Sequence, residues 1–346
     1  MSIRDDLLNA ARRANEVLEE FEVRKRIKQG YTRIDPVRIA ENADVPVMFR
    51  PLQKLLGAYV NEGRPGIMVN IDRTPGLIHM TCAHELGHYF LNHQPHMDLK
   101  IEYGKDADTT ERQADQFAYS LLAPQWLLKN IMARKNWMSC FKDPVVLYQL
   151  SLRLGTSYTS TVLTLLRMKL ISFEEATTFA KVPPKQIKEH LTGGDVPDEK
   201  GDVWLMDQYD LDSILEPHKV DHFVFNLPNK AGSGYVWSLD DVIQKGYVVE
   251  PLQNDVQRTP VSEHFGPHPQ YAPGRSRRFV ATPADGVPEE QLEPDSFSMY
   301  QHRPWEKSTS VTLDNQCTFN TEFEQISNGL DQMERMRRVA EVKAMA

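Results

Sequence analysis

Apolar positions near the start of the chain recur at helical spacing among charged ones in "MSIRDDLLNAARRANEVLEEFE". The pattern predicts a helix over residues 1–30 that ends at Gly30. "RIDPVRIAENADVPVMFRP" predicts a short helix that opens after Asp35 with Pro36 at its first position. "LGAYVNEGRPGIMVNID" alternates around a Gly/Pro turn and predicts a β-hairpin. An apolar helix follows over about 77–93. A polar stretch, "QPHMDLKIEYGKDADTT", separates it from a second helix, "ERQADQFAYSLLAP", which stops at Pro124. "DPVVLYQLSLRLGTSYTSTVLTLLRMKLIS" predicts two helices around Gly155, and "SFEEATTFA" and "PPKQIKEHL" predict one short helix each.

Helical periodicity stops at "TGGDVPDEKGD", and a domain boundary is expected near residues 192–202. From there to about residue 322 the chain is rich in proline, glycine and aromatics. It carries short β-like runs: "HFVFNL", "YVWSL", "GYVVEPL", "RRFVAT" and "SVTLD". The end, "QISNGLDQMERMRRVAEVKAMA", reads as a polar helix or a frayed tail, and no internal repeat is visible. The expected fold class is α+β and multidomain. A mainly helical domain with a small sheet spans 1–130, a helical, helix-turn-helix-like subdomain 131–195, an all-β domain 200–323, and a polar helical tail 324–346.

Composition narrows the function classes. The 346 residues suffice for two or three domains. A formal net charge of −8 excludes the global basic excess that drives nonspecific nucleic-acid binding. "SLRLGTSYTSTVLTLLRMKLIS" carries only Arg153, Arg167 and Lys169 as basic residues, so a packed subdomain is expected there and direct nucleic-acid binding is not. No run of about 18 apolar residues predicts a membrane span, and the N-terminus lacks the apolar centre of a signal peptide. Cys82, Cys140 and Cys317 are far apart and odd in number, which predicts free thiols and a cytoplasmic setting.

"CAHELGHYFLNH" gives the apolar helix its chemistry. His84 and His88 are four apart and share a helix face. Both imidazoles can therefore point at one ion. Glu85 can reach a water in the open coordination position, whose pKa zinc would lower. The plainer alternative is two histidines satisfied by hydrogen bonds. A catalytic zinc needs a third protein ligand. A third histidine six residues on is excluded, because position 91 is Leu and position 94 is Gln, and His93 has the wrong register on a continuing helix. The second helix offers a carboxylate, since Glu111 and Asp115 are also four apart. Glu111 is expected as the ligand, with Asp115 taking the outer N–H of a ligand histidine. The reverse assignment stays open, and a solvated acidic face is the alternative to both. Cys82 points away from the ion on the helix and reads as a buried thiol. Tyr89, Tyr103, Tyr119 and His93 are oxyanion-donor candidates by sequence proximity alone.

On "HMTCAHELGHYFLNH" and "ERQADQFAYSLLAP", in this order and with this separation, about residues 30–125 resemble the ImmA/IrrE family of zinc metallopeptidases, the likeness extending to about 190. The Phe-Ala-x-x-Leu-Leu-x-Pro ending is characteristic of it. The resemblance implies a compact zincin-like α/β peptidase fold, and one Zn2+ per chain held by His84, His88 and an acidic residue at Glu111 or Asp115. It implies Glu85 as general base, and as substrates helix-turn-helix repressors or antitoxins.

Three later stretches, "NLPNKAGSGYVWSL", "YAPGRSRRFVA" and "YQHRPWEK", together resemble the chagasin family of cysteine-protease inhibitors, an immunoglobulin-like β-sandwich. The matching positions run from Asn229 to Trp237, then roughly Gly274, then Arg303, Pro304 and Trp305, within about 202–323. The first loop lacks the family's proline and threonines. The resemblance implies partner-binding loops at Asn229, Gly234, Tyr235, Arg303, Pro304 and Trp305, with Tyr235 and Trp305 as anchors and Trp237 in the core. The expected function is a zinc endopeptidase that cleaves a regulatory protein. The alternative is a non-catalytic, toxin–antitoxin-like binder that sequesters a repressor or partner protease through its sandwich. Glu85 argues against the alternative, because a pure binder has no need of a base.

Overall fold

The computed structural model describes residues 3–61, 63–94, 96–98, 109–194, 200–252, 276–288, 292–305 and 315–345. The first thirty residues make two helices where the pattern predicts one. α1 (Ile3–Glu20) and α2 (Val23–Lys28) part at Glu22, whose φ of 51° is left-handed. α3 (Pro36–Asn42) opens as predicted. Pro36 stands at its first turn, and Asp35 Oδ1 accepts from Val37 N at 2.9 Å and Arg38 N at 3.2 Å.

The first sheet grows from the predicted hairpin of β2 (Gly57–Val60) and β3 (Gly66–Asn70). β1 (Val47–Arg50) lies parallel to β3, and β4 (His96–Asp98) lies antiparallel to β2. α4 (Pro75–Phe90) packs on β2 and β3, with α1 and α5 (Thr109–Leu122) on its other side. Every residue of α4 from Ile78 to His88 is buried, so its apolar residues are not confined to one stripe and its polar ones, His79, Thr81, His84, Glu85 and His88, lie inside the protein. α6 (Gln125–Arg134), α7 (Pro144–Leu154), α8 (Tyr158–Arg167), α9 (Phe173–Ala180) and α10 (Pro184–Thr192) complete the helical part. Among the described residues no helix is long and apolar enough to cross a membrane.

Beyond residue 200 two four-stranded sheets face each other. One has the order β5 (Val203–Asp207), β7 (His222–Pro228), β10 (Ser276–Pro283), β9 (Tyr247–Pro251). The other has β6 (Ile214–Leu215), β12 (Gln316–Thr321), β11 (Ser296–His302), β8 (Val236–Ser238), and the short α11 (Asp240–Gln244) joins β8 to β9. Aromatic rings fill the space between them, with centroids 4.9 Å apart for Phe223 and Phe297 and 5.7 Å for Phe225 and Phe319. The run "SVTLD" lies outside the described residues.

The two halves share structure across the expected boundary. Val203, Leu205 and Val224 belong to the core of the helical half, while Trp204, Phe223 and Phe225 belong to the aromatic core. β5 and β7 are therefore covered on both faces, which makes "VWLMD" and "HFVFNL" continuous apolar runs. Side chains of α7 seal the outer edge of β5. Gln149 donates to Val203 O at 2.7 Å and accepts from Leu205 N at 2.8 Å, and Arg153 donates to Leu205 O at 2.9 Å. Arg153 is itself buried against Asp210 at 2.8 Å, so this basic residue of the helix-turn-helix outline faces inward.

The end of the chain returns to the first sheet. Within the expected tail, β13 (Gly329–Leu330) pairs antiparallel with β1, and α12 (Gln332–Met345) follows. Asp331 holds the turn, its Oδ2 accepting from Val47 N and its Oδ1 from Glu334 N, both at 2.9 Å. Before it in the chain, the Glu324 side chain is buried among Arg33, His79 and His218. It accepts from Arg33 at 2.8 Å, His79 of α4 at 2.6 Å and His218 at 2.9 Å. Glu216 forms an ion pair with Arg33 at 3.1 Å and accepts from Arg26 at 2.6 Å. Gly155, left-handed at φ +65°, lets His79 approach, and its carbonyl lies 2.8 Å from His79 Nδ1.

Candidate metal centre

A glycine decides how the centre is assembled. Gly87 lies between the two histidines on α4, and a Cβ built there would sit 3.0 Å from Ala114 Cα and 3.1 Å from Ala114 O on α5. The helix backbones thus touch, and Glu111 and Asp115, on either side of Ala114, are brought over His84 and His88. Gly87→Leu would force α5 outward. We expect a loss of about 1–3 kcal/mol in stability from such overpacking together with weaker metal retention, measured by denaturant unfolding and by metal content.

Three side chains converge. His88 Nε2 lies 3.1 Å from His84 Nε2, Glu111 Oε2 lies 3.2 Å from His84 Nε2, and Glu111 Oε1 lies 3.4 Å from His88 Nε2. Bonds of about 2.0–2.1 Å in a tetrahedron give ligand–ligand edges of about 3.3–3.4 Å, and the separations of the two nitrogens from each other and from the Glu111 carboxylate are of that size. All three residues are buried, and this His–His–Glu group can hold a metal ion. Asp115 Oδ1 sits 3.0 Å from the far nitrogen of His84, Nδ1. A carboxylate accepts there, so the proton is assigned to Nδ1 and Nε2 keeps its lone pair for the ion. Without a cation, two lone pairs and a carboxylate would face one another in a buried space, which is costly. The donor set therefore fits a metal.

Glu85 is fully buried on the same helix. Its carboxylate lies against β2 at Gly57, where a Cβ would come 2.7 Å from Glu85 Oε1 and 2.5 Å from Thr81 Cγ2. Gly57 therefore lines the site, although the hairpin pattern gives it no such role. The signal was a glycine inside a strand, which marks close backbone approach.

The remaining candidates separate. Cys82 is buried, and desolvation, then the charges of Asp35 and Glu85, push its thiol well above the ordinary value. Tyr89 packs edge-on against Tyr59 and Phe90, and Tyr119 is buried under the Arg167 guanidinium at 3.8 Å. Tyr103 lies outside the described residues. α4 ends at Phe90 and does not continue to 93, and the His93 ring lies beside His88 without joining the converging group.

The loops of the second half also gather at one end. Trp305 is 69% exposed and lies on Gly234, where φ is +80° and a Cβ would overlap its ring. The Arg303 guanidinium stands 4.7 Å from the Tyr235 ring, Pro304 is exposed, and Asn229 Oδ1 accepts from Ala231 N at 3.0 Å. Trp237 is half-buried against the aromatic core and donates to Pro228 O at 2.9 Å. The stretch around Gly274 lies outside the described residues.

Residues 40–151, which include both histidines and both carboxylates, match the family model described as Peptidase M78, IrrE N-terminal-like domain. That is a metallopeptidase family. No curated protein matches the chain. Among solved structures, a cysteine protease inhibitor from Entamoeba histolytica matches at 15% identity. The match covers 35% of this chain and 95% of that one, with a TM-score of 0.22.

Proposed function

We propose that this chain is a zinc-dependent endopeptidase. The observation that carries it is the convergence of His84 Nε2, His88 Nε2 and the Glu111 carboxylate, with Asp115 on the far nitrogen of His84. Zinc, when bound, would polarise the scissile carbonyl and acidify an attacking water. Glu85 takes the proton of that water on its carboxylate and returns it to the leaving nitrogen. Asp115 keeps His84 in one tautomer and one orientation. The burial of all five side chains excludes bulk water from their electrostatics.

The substrate class we assign, a helix-turn-helix repressor or antitoxin, rests on the resemblance in "HMTCAHELGHYFLNH" and "ERQADQFAYSLLAP", and it makes the protein a regulator of transcription. A cytoplasmic setting fits the three free cysteines. The second half is read as an immunoglobulin-like sandwich that recruits or restrains through the loops around Trp305.

Zinc content of the purified chain tests this, beside Glu111→Ala and Asp115→Ala. About one zinc in the parent is expected, with its loss in Glu111→Ala and about 10–100-fold weaker binding in Asp115→Ala. Equal, complete loss in both variants would reopen which carboxylate is the ligand. A parent that takes up no zinc would sink the catalytic reading and favour the binding-protein alternative, with the exposed Trp305 surface as its working part.

A further inference from the structure

The last turn of α4 does something that the ligand set alone does not explain. The helix stops at Leu91, and Asn92 takes a left-handed conformation at φ 55°. Asn92 N donates to Tyr89 O at 3.1 Å and His93 N donates to His88 O at 2.9 Å. These two bonds are a Schellman closure, which turns the chain back over its own last turn. The reversal sets the His93 ring against the His88 ring, with centroids 5.1 Å apart. Asparagine is one of the few residues other than glycine that adopts this backbone conformation readily.

The nitrogens then line up in a chain. His93 Nδ1 is 3.1 Å from His88 Nδ1, and His93 Nε2 is 3.0 Å from Gln113 Oε1. Gln113 lies on α5 between Glu111 and Asp115. An amide oxygen only accepts, so the His93 proton belongs on Nε2. His93 Nδ1 is then an acceptor, and the His88 proton belongs on its own Nδ1. That leaves the lone pair of His88 on Nε2, the atom that meets His84 and Glu111.

We infer that His93 is the positioning residue for His88, fixing its Nδ1–H tautomer and ring orientation as Asp115 does for His84, with Gln113 setting the tautomer of His93. The inference rests on the metal reading above. It gives each histidine of the centre an acceptor from a different place, α5 for His84 and the reversed end of α4 for His88. Any side chain that cannot accept at position 93 would leave His88 free to protonate on Nε2 and to turn away.

Two measurements on the full chain test it, zinc affinity by chelator competition and imidazole nitrogen shifts in the metal-free protein. Three variants are compared. His93→Leu removes the acceptor, His93→Asn restores an oxygen at the place of Nδ1, and Gln113→Leu frees the tautomer of His93. We expect His93→Leu to weaken zinc binding by about 10–100-fold, Gln113→Leu to weaken it less, and His93→Asn to stay within a few-fold of the parent. In the metal-free parent His88 should carry its proton on Nδ1, and in His93→Leu that preference should be lost. Parent-like zinc affinity and an unchanged His88 tautomer in His93→Leu would overturn the inference. A variant that merely loosened the fold would lose affinity with leucine and asparagine alike, and that pattern also overturns it. If the parent itself binds no zinc, the metal reading fails separately, and the tautomer of His88 in metal-free protein still decides the role of His93.

Discussion

Glu85→Gln is expected to lower peptide cleavage by about 100- to 10,000-fold, the range for loss of a positioned general base, while zinc content stays at the parent value. The substitution keeps the shape of the side chain and removes the charge and the basic oxygen. Shape matters here because the carboxylate sits in a space left by Gly57 and bounded by Thr81, and Glu85 is fully buried. An amide of the same size fits that space with little repacking. Zinc should be retained because the converging atoms belong to His84, His88 and Glu111. The rate is best followed on a panel of helix-turn-helix repressors, and Glu85→Gln should bind a cleaved member without turning it over. Parent-like turnover by Glu85→Gln would remove Glu85 from the mechanism. Loss of zinc together with activity would instead place it among the metal-holding groups.

Parts of this centre are legible in the sequence because they depend on one helix at a time. His84 and His88 are four apart, Glu111 and Asp115 are four apart, and a helix puts each pair on one face. Which of Glu111 and Asp115 faces both Nε2 atoms is not local. It follows from how closely α5 approaches α4, which the absence of a side chain at Gly87 sets against Ala114. His93 stays outside the converging group, and its place beside His88 is hidden for a related reason. Its register is poor on a continuing helix, but the left-handed Asn92 ends the helix and reverses the chain. An asparagine near a helix end was the available signal.

The seam between the halves left less trace. β13 is two residues long and pairs with a strand near the other end of the chain, so no periodicity could announce it. The alternation in "SFSMYQH" of β11 is visible because one face is buried. The largely apolar runs of β5 and β7 mark strands covered on both faces, but they do not say that helices cover the second one. Arg33, His79, His218 and Glu324 lie in four separate segments, and only the fold joins them.

Glu324→Ala is expected to destabilise the whole chain by about 3–5 kcal/mol, the usual cost of stripping one partner from a buried ion pair. It would leave Arg33, His79 and His218 without the carboxylate they share. The pH dependence has a definite sign. Burial pushes the Glu324 carboxyl up, but the Arg33 and His79 charges and the hydrogen bond from His218 win and hold it well below the ordinary value of 4.5. Its contribution is therefore complete above pH 4.5 and is lost as pH falls through the depressed value. Burial pushes His218 down, but the hydrogen bond and charge of Glu324 win and raise it above 6.5. That contribution is complete below pH 6.5 and fades as pH rises through the raised value. The gap in stability between the parent and Glu324→Gln should thus be widest between pH 4.5 and 6.5 and narrow on both sides, as read by denaturant unfolding across pH. A gap independent of pH would show that Glu324 acts by packing and not by charge. Because His79 is on the helix that carries His84 and His88, the same variant should hold zinc less tightly. Removing residues 200–346 would take away Glu324, β13 and the Val203, Leu205 and Val224 side chains at once, so lost activity in such a truncation would report lost structure. Substitutions at Trp305, which is exposed, are the cleaner way to ask what the second half recruits.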